Sequence, residues 1–404
     1  MKVPNLPDKK NCTGCMACAD ICMRNAIHIT YEDGLMYPYL EKDICINCGV
    51  CTKHCPQINE SNWNVREDVM VYGGWCKDDI IRKRSASGGA FSALALSVLK
   101  NGGYVVGASL MGRGEVCHRM ISSVEDLHTL QNSKYVQSCT PKIYRKTKEK
   151  LLEGETVLFS GTPCQVGALN SYLGKQKQYG NLITIDVVCN GVPSRIAEDY
   201  FLAKTRARRI LSFRDKDFGW VELDSQKIVY ENNEGKRVSC KRKTDPFYKV
   251  FSTGLTQRDT CCDCKYSILP RFADITLADF WGIERFQSEW KDGISLIVAN
   301  NEKGRNMIES CEELFVFQSS LDECVRANPR LVNGFKFHKY HPVMVWRKSS
   351  QKILGERIFD AVITNKYPYK LIWGLLKLLT IWSNRLVIRR ELCYEKENRH
   401  NNNI

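Results

Sequence analysis

The chain has 404 residues, 59 lysines and arginines against 45 aspartates and glutamates, a formal charge of +14 and 20 cysteines. At 43% hydrophobic and 10% aromatic residues it can bury a large core, which excludes a disordered polymer, and its length predicts two or three domains. It has no uncharged apolar run of the ~18 residues a spanning helix needs, and Met1-Lys2-Val3-Pro4-Asn5 is not a signal-type stretch. A cytoplasmic, reducing setting is therefore expected, where cysteines serve as metal ligands or redox groups rather than disulfides. The basic balance alone points to an anionic partner.

The first motif is a cysteine repeat. Cys12, Cys15, Cys18 and Cys22 are separated by two, two and three residues; Cys45, Cys48, Cys51 and Cys55 repeat the spacing, and Pro56 follows. This is the run by which bacterial ferredoxins bind 4Fe-4S cubanes. Three thiolates on one tight loop reach three corners of a cubane, and the fourth comes from elsewhere. In two-cluster ferredoxins the fourth cysteine of each run ligates the other cluster. Carried over, one cluster takes Cys12, Cys15, Cys18 and Cys55, and the other takes Cys45, Cys48, Cys51 and Cys22. Zinc or disulfides are the alternative, but zinc sites rarely use eight cysteines in two such triplets. Gly14 and Gly49 sit inside the loops, and Ala26–Ile29 with Leu35–Pro38 reads as a hairpin around Asp33-Gly34. Met23 stands where proline is usual. Residues 1–60 are expected to form a dicluster ferredoxin domain, and Gln57 to Asp68 a polar linker.

Beyond the linker the pattern becomes strand, turn and helix. Val69–Tyr72 is a predicted strand, Arg82–Gly89 a basic Gly/Ser loop, and Ala90 to Lys100 a helix with Phe91, Leu94, Ala95 and Val98 on one face. A Gly-Gly pair opening a helix suits a phosphate or a flavin, although a tight turn that binds nothing fits as well. Tyr104–Ala108 is a predicted strand and Lys142 to Glu153 a polar helix. Thr156–Ser160 is a short buried strand running into Gly161-Thr162-Pro163-Cys164-Gln165. Pro163 fits the first helical position, so Cys164 is expected at a helix N-terminus that favours a thiolate. Leu182 to Val188 is another buried strand, ending at Cys189-Asn190-Gly191. Gln226 to Tyr230 and Arg237 to Lys241 form a predicted hairpin. The pair Cys261 and Cys264 follows, and then Ala273 to Gly282. Cys164, Cys189, Cys261 and Cys264 are thus four thiols able to close a third cubane or a zinc site, with Cys262 as a spare. Cys76, Cys117, Cys139, Cys240, Cys311, Cys324 and Cys393 read as ordinary small buried or part-buried residues.

The motifs Ser85-Ala86-Ser87-Gly88-Gly89, Ser133-Lys134-Tyr135, Gly161-Thr162-Pro163-Cys164-Gln165 and Cys189-Asn190-Gly191 are followed by Phe213-Arg214, Cys261-x-x-Cys264, Ala273-Asp274-Ile275, Asp279 and Trp281-Gly282. In this order they resemble the coenzyme F420 hydrogenase/dehydrogenase beta-subunit family over about residues 70 to 300. The resemblance implies an iron–sulfur flavoprotein with FAD, whose flavin exchanges electrons with a deazaflavin or another hydride-carrying substrate. It implies a 4Fe-4S cluster on Cys164, Cys189, Cys261 and Cys264. Ser87, Gly88, Gly89, Lys134 and Tyr135 become candidate flavin contacts, and Lys134, Tyr135 and Asp279 candidate proton donors. Ala278 departs from the glycine often found before the aspartate.

The expected fold is α+β to α/β. A ferredoxin domain precedes a larger α/β flavin and iron–sulfur domain, itself divided into a flavin-loop part (69–150) and a third-cluster part (151–300), with a mostly helical extension (301–404). In the extension, Phe337-His338-Lys339-Tyr340-His341 reads as a mixed surface segment in preference to a metal site. Leu371–Trp382 is apolar with Lys370, Arg385, Arg389 and Arg390 nearby, and reads either as an amphipathic helix packed on the protein or as peripheral contact with an anionic membrane. The expected partners are a ferredoxin or a redox partner subunit and a small hydride donor or acceptor. Nucleic acid is not expected, because the basic residues lack aromatic interleaving or a reader fold. The alternative function is a non-catalytic electron-transfer subunit. Three oxidised cubanes would remove about 6 of the positive charges and FAD about two more.

Overall fold

Each cysteine run turns twice through left-handed backbone before a short helix. Gly14 (φ 66°) and Met16 (φ 60°) precede α1 (Ala17–Ile21); Asn47 (φ 56°) and Gly49 (φ 71°) precede α2 (Val50–Lys53). The sequence duplication is therefore a backbone duplication. Between the runs, β1 (Ile27–Glu32) and β2 (Leu35–Leu40) pair antiparallel across Asp33 and Gly34, both at positive φ, as a type I′ hairpin requires.

The computed structural model describes residues 4–59, 69–174, 179–217, 219–220, 227–241, 245–254 and 256–332. The segments Phe337–His341 and Leu371–Trp382 lie outside them, as does Cys393. The described residues up to Tyr248 and from Thr256 belong to one compact unit, while Lys249–Leu255 is assigned to a second.

In chain order the larger region runs β3 (Met70–Cys76), α3 (Asp79–Arg84), α4 (Ala90–Lys100), β4 (Tyr104–Met111), β5 (Glu115–Ile121), β6 (Ser138–Cys139), α5 (Ile143–Leu152), β7 (Val157–Gly161), α6 (Pro163–Leu173) and β8 (Leu182–Val187). It continues with α7 (Arg195–Thr205), β9 (Ala207–Asp215), β10 (Lys227–Asn232), β11 (Arg237–Lys241), α8 (Pro246–Thr253), β12 (Ile275–Asp279), β13 (Ser295–Ala299), α9 (Glu302–Glu309), β14 (Leu314–Ser319) and α10 (Leu321–Ala327). Nine strands form one mixed sheet in the order β14-β3-β13-β12-β8-β7-β4-β5-β6, with β4, β7, β8 and β12 parallel at its centre. A smaller sheet has the order β11-β10-β9.

Strand alternation divides the core. Val105 and Leu158 face a cluster built on α4, with Leu94 and Leu99, whereas Val106, Val157 and Phe159 face one built on α5 and α6, with Tyr144, Val166 and Leu169. The helices thus cover both faces, as a central parallel sheet needs.

The segments 69–150 and 151–300 contribute to the same sheet, in which β4 pairs with β7. In the described part of the extension α9, α10 and a 3₁₀ turn (Pro329–Leu331) accompany β14, which pairs with β3 at the sheet edge. One expectation changes. Cys117 and Cys139 are not ordinary thiols. The β5–β6 pairing sets them opposite each other with Cα atoms 4.5 Å apart, and they are joined in a disulfide. Cys76, Cys311 and Cys324 are buried, as expected. No helix among the described residues is long and apolar enough to cross a membrane.

The ferredoxin module is bonded into the larger region. The Asp20 carboxylate accepts from the amides of Tyr144 (2.9 Å) and Arg145 (3.2 Å) at the start of α5, where its charge also meets the helix dipole. Tyr144 Oη and Thr140 Oγ1 both donate to Cys15 O, at 2.9 and 3.0 Å. Ser171 Oγ donates to His54 O (2.9 Å), and Ala17 joins the core under α5 and α6.

Candidate iron–sulfur and flavin site

The module brings its cysteines together across the two runs. Cys12, Cys15, Cys18 and Cys55 line one cavity with Pro7, Thr13, Met16, Pro38, Pro56 and Gln57. Three of these cysteines come from the first run and one from the second, the crossed grouping read from the spacing. Cys22 acts electrostatically on Cys51, as does Cys48, which sets the other run beside the last cysteine of the first. Backbone amides point at sulfur: Gly14 N–H to Cys12 Sγ (3.4 Å), Ala26 N–H to Cys22 Sγ (3.3 Å) and Asn47 N–H to Cys45 Sγ (3.4 Å). Such donors favour sulfur that carries negative charge. In the first group Cys12 and Cys55 are buried; in the second Cys51 is buried and Cys48 is exposed. Burial raises the Cys12, Cys15, Cys18 and Cys55 thiols, Cys18 most clearly. Four crowded, buried sulfurs give up protons when a cation replaces them, so the donor set fits a 4Fe-4S cluster.

A second set lies at the C-terminal edges of the central strands. Cys164 sits in the first turn of α6, after Pro163 and under a capping box formed by Thr162 and Gln165. Cys189 follows β8, and Gly191 N–H donates to its Sγ at 3.4 Å. Cys261 ends a short 3₁₀ turn, Asp259–Cys261, three residues before Cys264. Cys189, Cys264 and Cys261 all act on Cys164, and Cys264 acts on both Cys189 and Cys261, so the fold gathers all four. Among the described residues no three His, Cys, Asp or Glu side chains converge as they would around one metal ion. A cubane holds its four thiolates further apart than a single ion does.

The expected thiolate at Cys164 is not what this environment favours. Burial raises that thiol well above its ordinary value and outweighs both the helix N-terminus and the Thr162 hydroxyl at 3.2 Å. Burial likewise pushes Cys189 up to about 11 and Cys261 up to about 12. Arg271 and Arg330 oppose the rise at Cys189, and Arg258 opposes it at Cys261. Cys262 is buried beneath this set, with its Sγ 4.0 Å from Arg258 O.

The flavin candidates lie in the loop before α4 and in the loop before β6. Ser87 Oγ donates to Ile294 O (2.8 Å), and Ser87 O accepts from Lys216 Nζ (2.7 Å). Gly88 lies between β3 and β13, where a Cβ would stand 2.5 Å from Gly74 O and 2.6 Å from Ser295 N. Gly89 is the left-handed residue before α4. Packing alone accounts for both glycines. Lys216 Nζ also donates to Arg82 O and Asp292 O, both at 2.7 Å, and burial lowers it to about 7. Lys134 Nζ donates to Leu130 O (2.9 Å) and Gln131 O (2.6 Å), and burial lowers it to about 7 as well. Tyr135 meets Phe213 and Tyr248 edge to face.

Asp279, a candidate proton donor, is engaged on both oxygens. Arg214 grips it in a fork (2.7 and 2.9 Å), and Trp220 Nε1 donates at 2.7 Å. Trp220 stacks on Trp281 with centroids 4.7 Å apart and planes 5° from parallel. Lys216, Trp220, Arg258 and Tyr266 carried no signal in the sequence, because their surroundings come from segments far apart in the chain.

Fold and cysteine chemistry define an iron–sulfur protein built on a mixed α/β sheet. Residues 71–144 and 154–320 match the models of the N-terminal and C-terminal parts of the coenzyme F420 hydrogenase/dehydrogenase beta subunit, together more than half of the chain, and residues 11–58 match a 4Fe-4S dicluster domain. The chain belongs to the coenzyme F420 hydrogenase/dehydrogenase beta-subunit family and is an oxidoreductase with a 4Fe-4S domain. An uncharacterized ferredoxin of Methanocaldococcus jannaschii is 30% identical over 56 residues, 14% of this chain and 73% of the ferredoxin. A chain of the F420-reducing nickel–iron hydrogenase complex from Methanosarcina barkeri is 14% identical, with 68% of this chain and 92% of that chain covered at a TM-score of 0.48.

Proposed function

We propose that the protein carries three 4Fe-4S clusters and one FAD, and passes electrons between a one-electron donor, a ferredoxin or a redox partner subunit, and a small substrate that gives or takes a hydride. The observation that carries this reading is the gathering of Cys164, Cys189, Cys261 and Cys264 beside a ferredoxin module that is bonded into the same unit. When bound, the flavin converts hydride equivalents into the single electrons that clusters accept.

The chain's own residues hold and shape the site. Lys216 ties the carbonyls of Arg82, Ser87 and Asp292 together, which fixes the Ser87–Gly89 loop offered to the flavin. The Arg214–Asp279 fork orients Trp220 and Trp281 at the strand ends, so Asp279 serves as a positioning residue. Lys134, poised near neutral pH, is the side chain suited to hold or release a proton. Coenzyme F420 is the first substrate to test, and a cytoplasmic location is proposed.

Anaerobically purified protein is expected to contain about twelve iron atoms and one flavin per chain. Eight iron atoms with zinc would overturn the third cluster. Absence of flavin would overturn the enzyme reading and leave an electron carrier.

A further inference from the structure

Arg258 is fully buried where the ferredoxin module meets the second cysteine set. Its side chain reaches into the module, where Nη1 donates to Cys12 O (3.2 Å) and Nη2 to Met36 O (2.7 Å); Nη2 also donates to Gln137 Oε1 (2.8 Å), just before β6. The guanidinium lies 4.5 Å from the centroid of the Tyr37 ring. Its backbone belongs to the other side, with Arg258 O accepting from Cys261 N at 3.0 Å. One residue therefore touches a cysteine of each set, with its side chain on Cys12 and its main chain on Cys261.

The charge of Arg258 is unusual. Other buried arginines face carboxylates: Arg82 faces Glu289, Arg214 faces Asp279 and Arg271 faces Asp186. Among the described residues Arg258 has no carboxylate partner; its acceptors are the two carbonyls and the Gln137 amide oxygen. Arginine does not shed its proton in a protein, and a buried charge without a counter-charge is strongly unfavourable. The structure therefore holds a permanent cation and no anion of its own to meet it. Tyr266 fills the rest of the interval. Gln57 Nε2 of the module's end donates to its hydroxyl at 2.8 Å, and its ring lies against Gly167 of α6, the helix that carries Cys164.

We propose that Arg258 is the shared counter-cation of two neighbouring 4Fe-4S clusters, one on Cys12, Cys15, Cys18 and Cys55 and one on Cys164, Cys189, Cys261 and Cys264, and that it raises the reduction potential of both. The proposal rests on the three-cluster reading above. Reduction adds negative charge to a cluster, and a fixed cation in a weakly screened interior favours the reduced form. The remaining set, Cys22, Cys45, Cys48 and Cys51, includes the exposed Cys48 and is not assigned this cation.

The test is a redox titration of the anaerobic holoprotein followed by electron paramagnetic resonance, with iron counted in every sample. The exposed cluster is assigned by its loss in Cys48→Ser. Arg258→Met is expected to lower the potentials of the two flanking clusters, or to release their iron, and to leave the exposed cluster in place and unshifted. Gln137→Glu keeps the packing and sets a carboxylate against the guanidinium, so it is expected to lower the same two potentials. Unmoved potentials, an equal shift of all three, or iron loss spread over all three clusters overturn the proposal. Wild-type protein with eight iron atoms overturns the three-cluster reading itself, whereas about twelve iron atoms with unmoved potentials overturn only the role of Arg258.

Discussion

His118 is a buried base held neutral. Its ring lies between Ser138 Oγ (2.7 Å) and Ser160 O (3.0 Å), stacked on Phe159, and burial lowers it from an ordinary 6.5 to about 4, with the Lys134 charge acting in the same direction. A folded-state value below the unfolded one means that the unfolded chain takes up the proton first. The neutral ring therefore supports the fold fully above about pH 6.5, and that support is lost as pH falls toward 4. Over the 1.5 units down to pH 5 the loss is about 2 kcal/mol. The thermal midpoint of the wild-type protein is expected to fall between pH 6.5 and pH 5, and that of His118→Gln to fall less. Parallel curves for the two proteins would show that His118 does not govern this acid limb. Neither the neutral state of His118 nor the pairing of Asp279 was legible in the sequence. Each depends on a partner far along the chain: Ser160 for His118, Arg214 and Trp220 for Asp279.

Helix α6 carries its site residue on a precise local code and its packing on a non-local one. Thr162, Pro163 and Gln165 place Cys164 in the first turn, and this start was readable because capping is local chemistry. Gly167, one residue after Val166 on the same helix, was not readable as special. A Cβ there would lie 2.6 Å from Tyr266 Cε1, so the helix admits the ring that separates the two cysteine sets only because this residue has no side chain. Gly167→Ala is expected to force the ring or the helix to shift, costing about 1–3 kcal/mol despite alanine's better helix propensity. The lowered thermal midpoint should be accompanied by loss of about four iron atoms, the complement of one cubane. A stabilised protein with full iron would show that the contact relaxes without cost. The same division runs through the other elements. The central strands were legible from their apolar runs and α4 from its period. The partners of β6 and β14 were not, because pairing across a sheet is set by topology and leaves no mark on a two-residue strand or an edge strand.

For the whole molecule, burial sorts the cysteine groups into an order. The group with Cys12 and Cys55 packs against α5, α6 and Arg258, whereas Cys48 is exposed, as are Met23 (84%) and Ile46 (55%), the sequence neighbours of Cys22 and Cys45. Electron exchange falls off with distance, so a protein donor would approach from the side of Cys48. Arg24, Lys42 and Lys53, close in sequence to Cys22, Cys45 and Cys51, are exposed, as is the acidic neighbour Asp43. Three cubanes, as proposed, would reduce the formal charge of +14 by about 6 and leave a basic protein. An acidic ferredoxin is then steered to this face at low ionic strength and screened from it at high salt, where the Debye length shrinks from about 10 Å at 0.1 M to about 3 Å at 1 M. Reduction of the holoprotein by an acidic ferredoxin, followed by stopped-flow absorbance, is expected to slow roughly tenfold across that range. Lys42→Glu with Lys53→Glu should lower the rate at low salt and flatten its salt dependence while leaving the iron content unchanged. A rate indifferent to both salt and charge reversal would mean that the donor docks elsewhere, and that the exposed cluster is not where electrons enter.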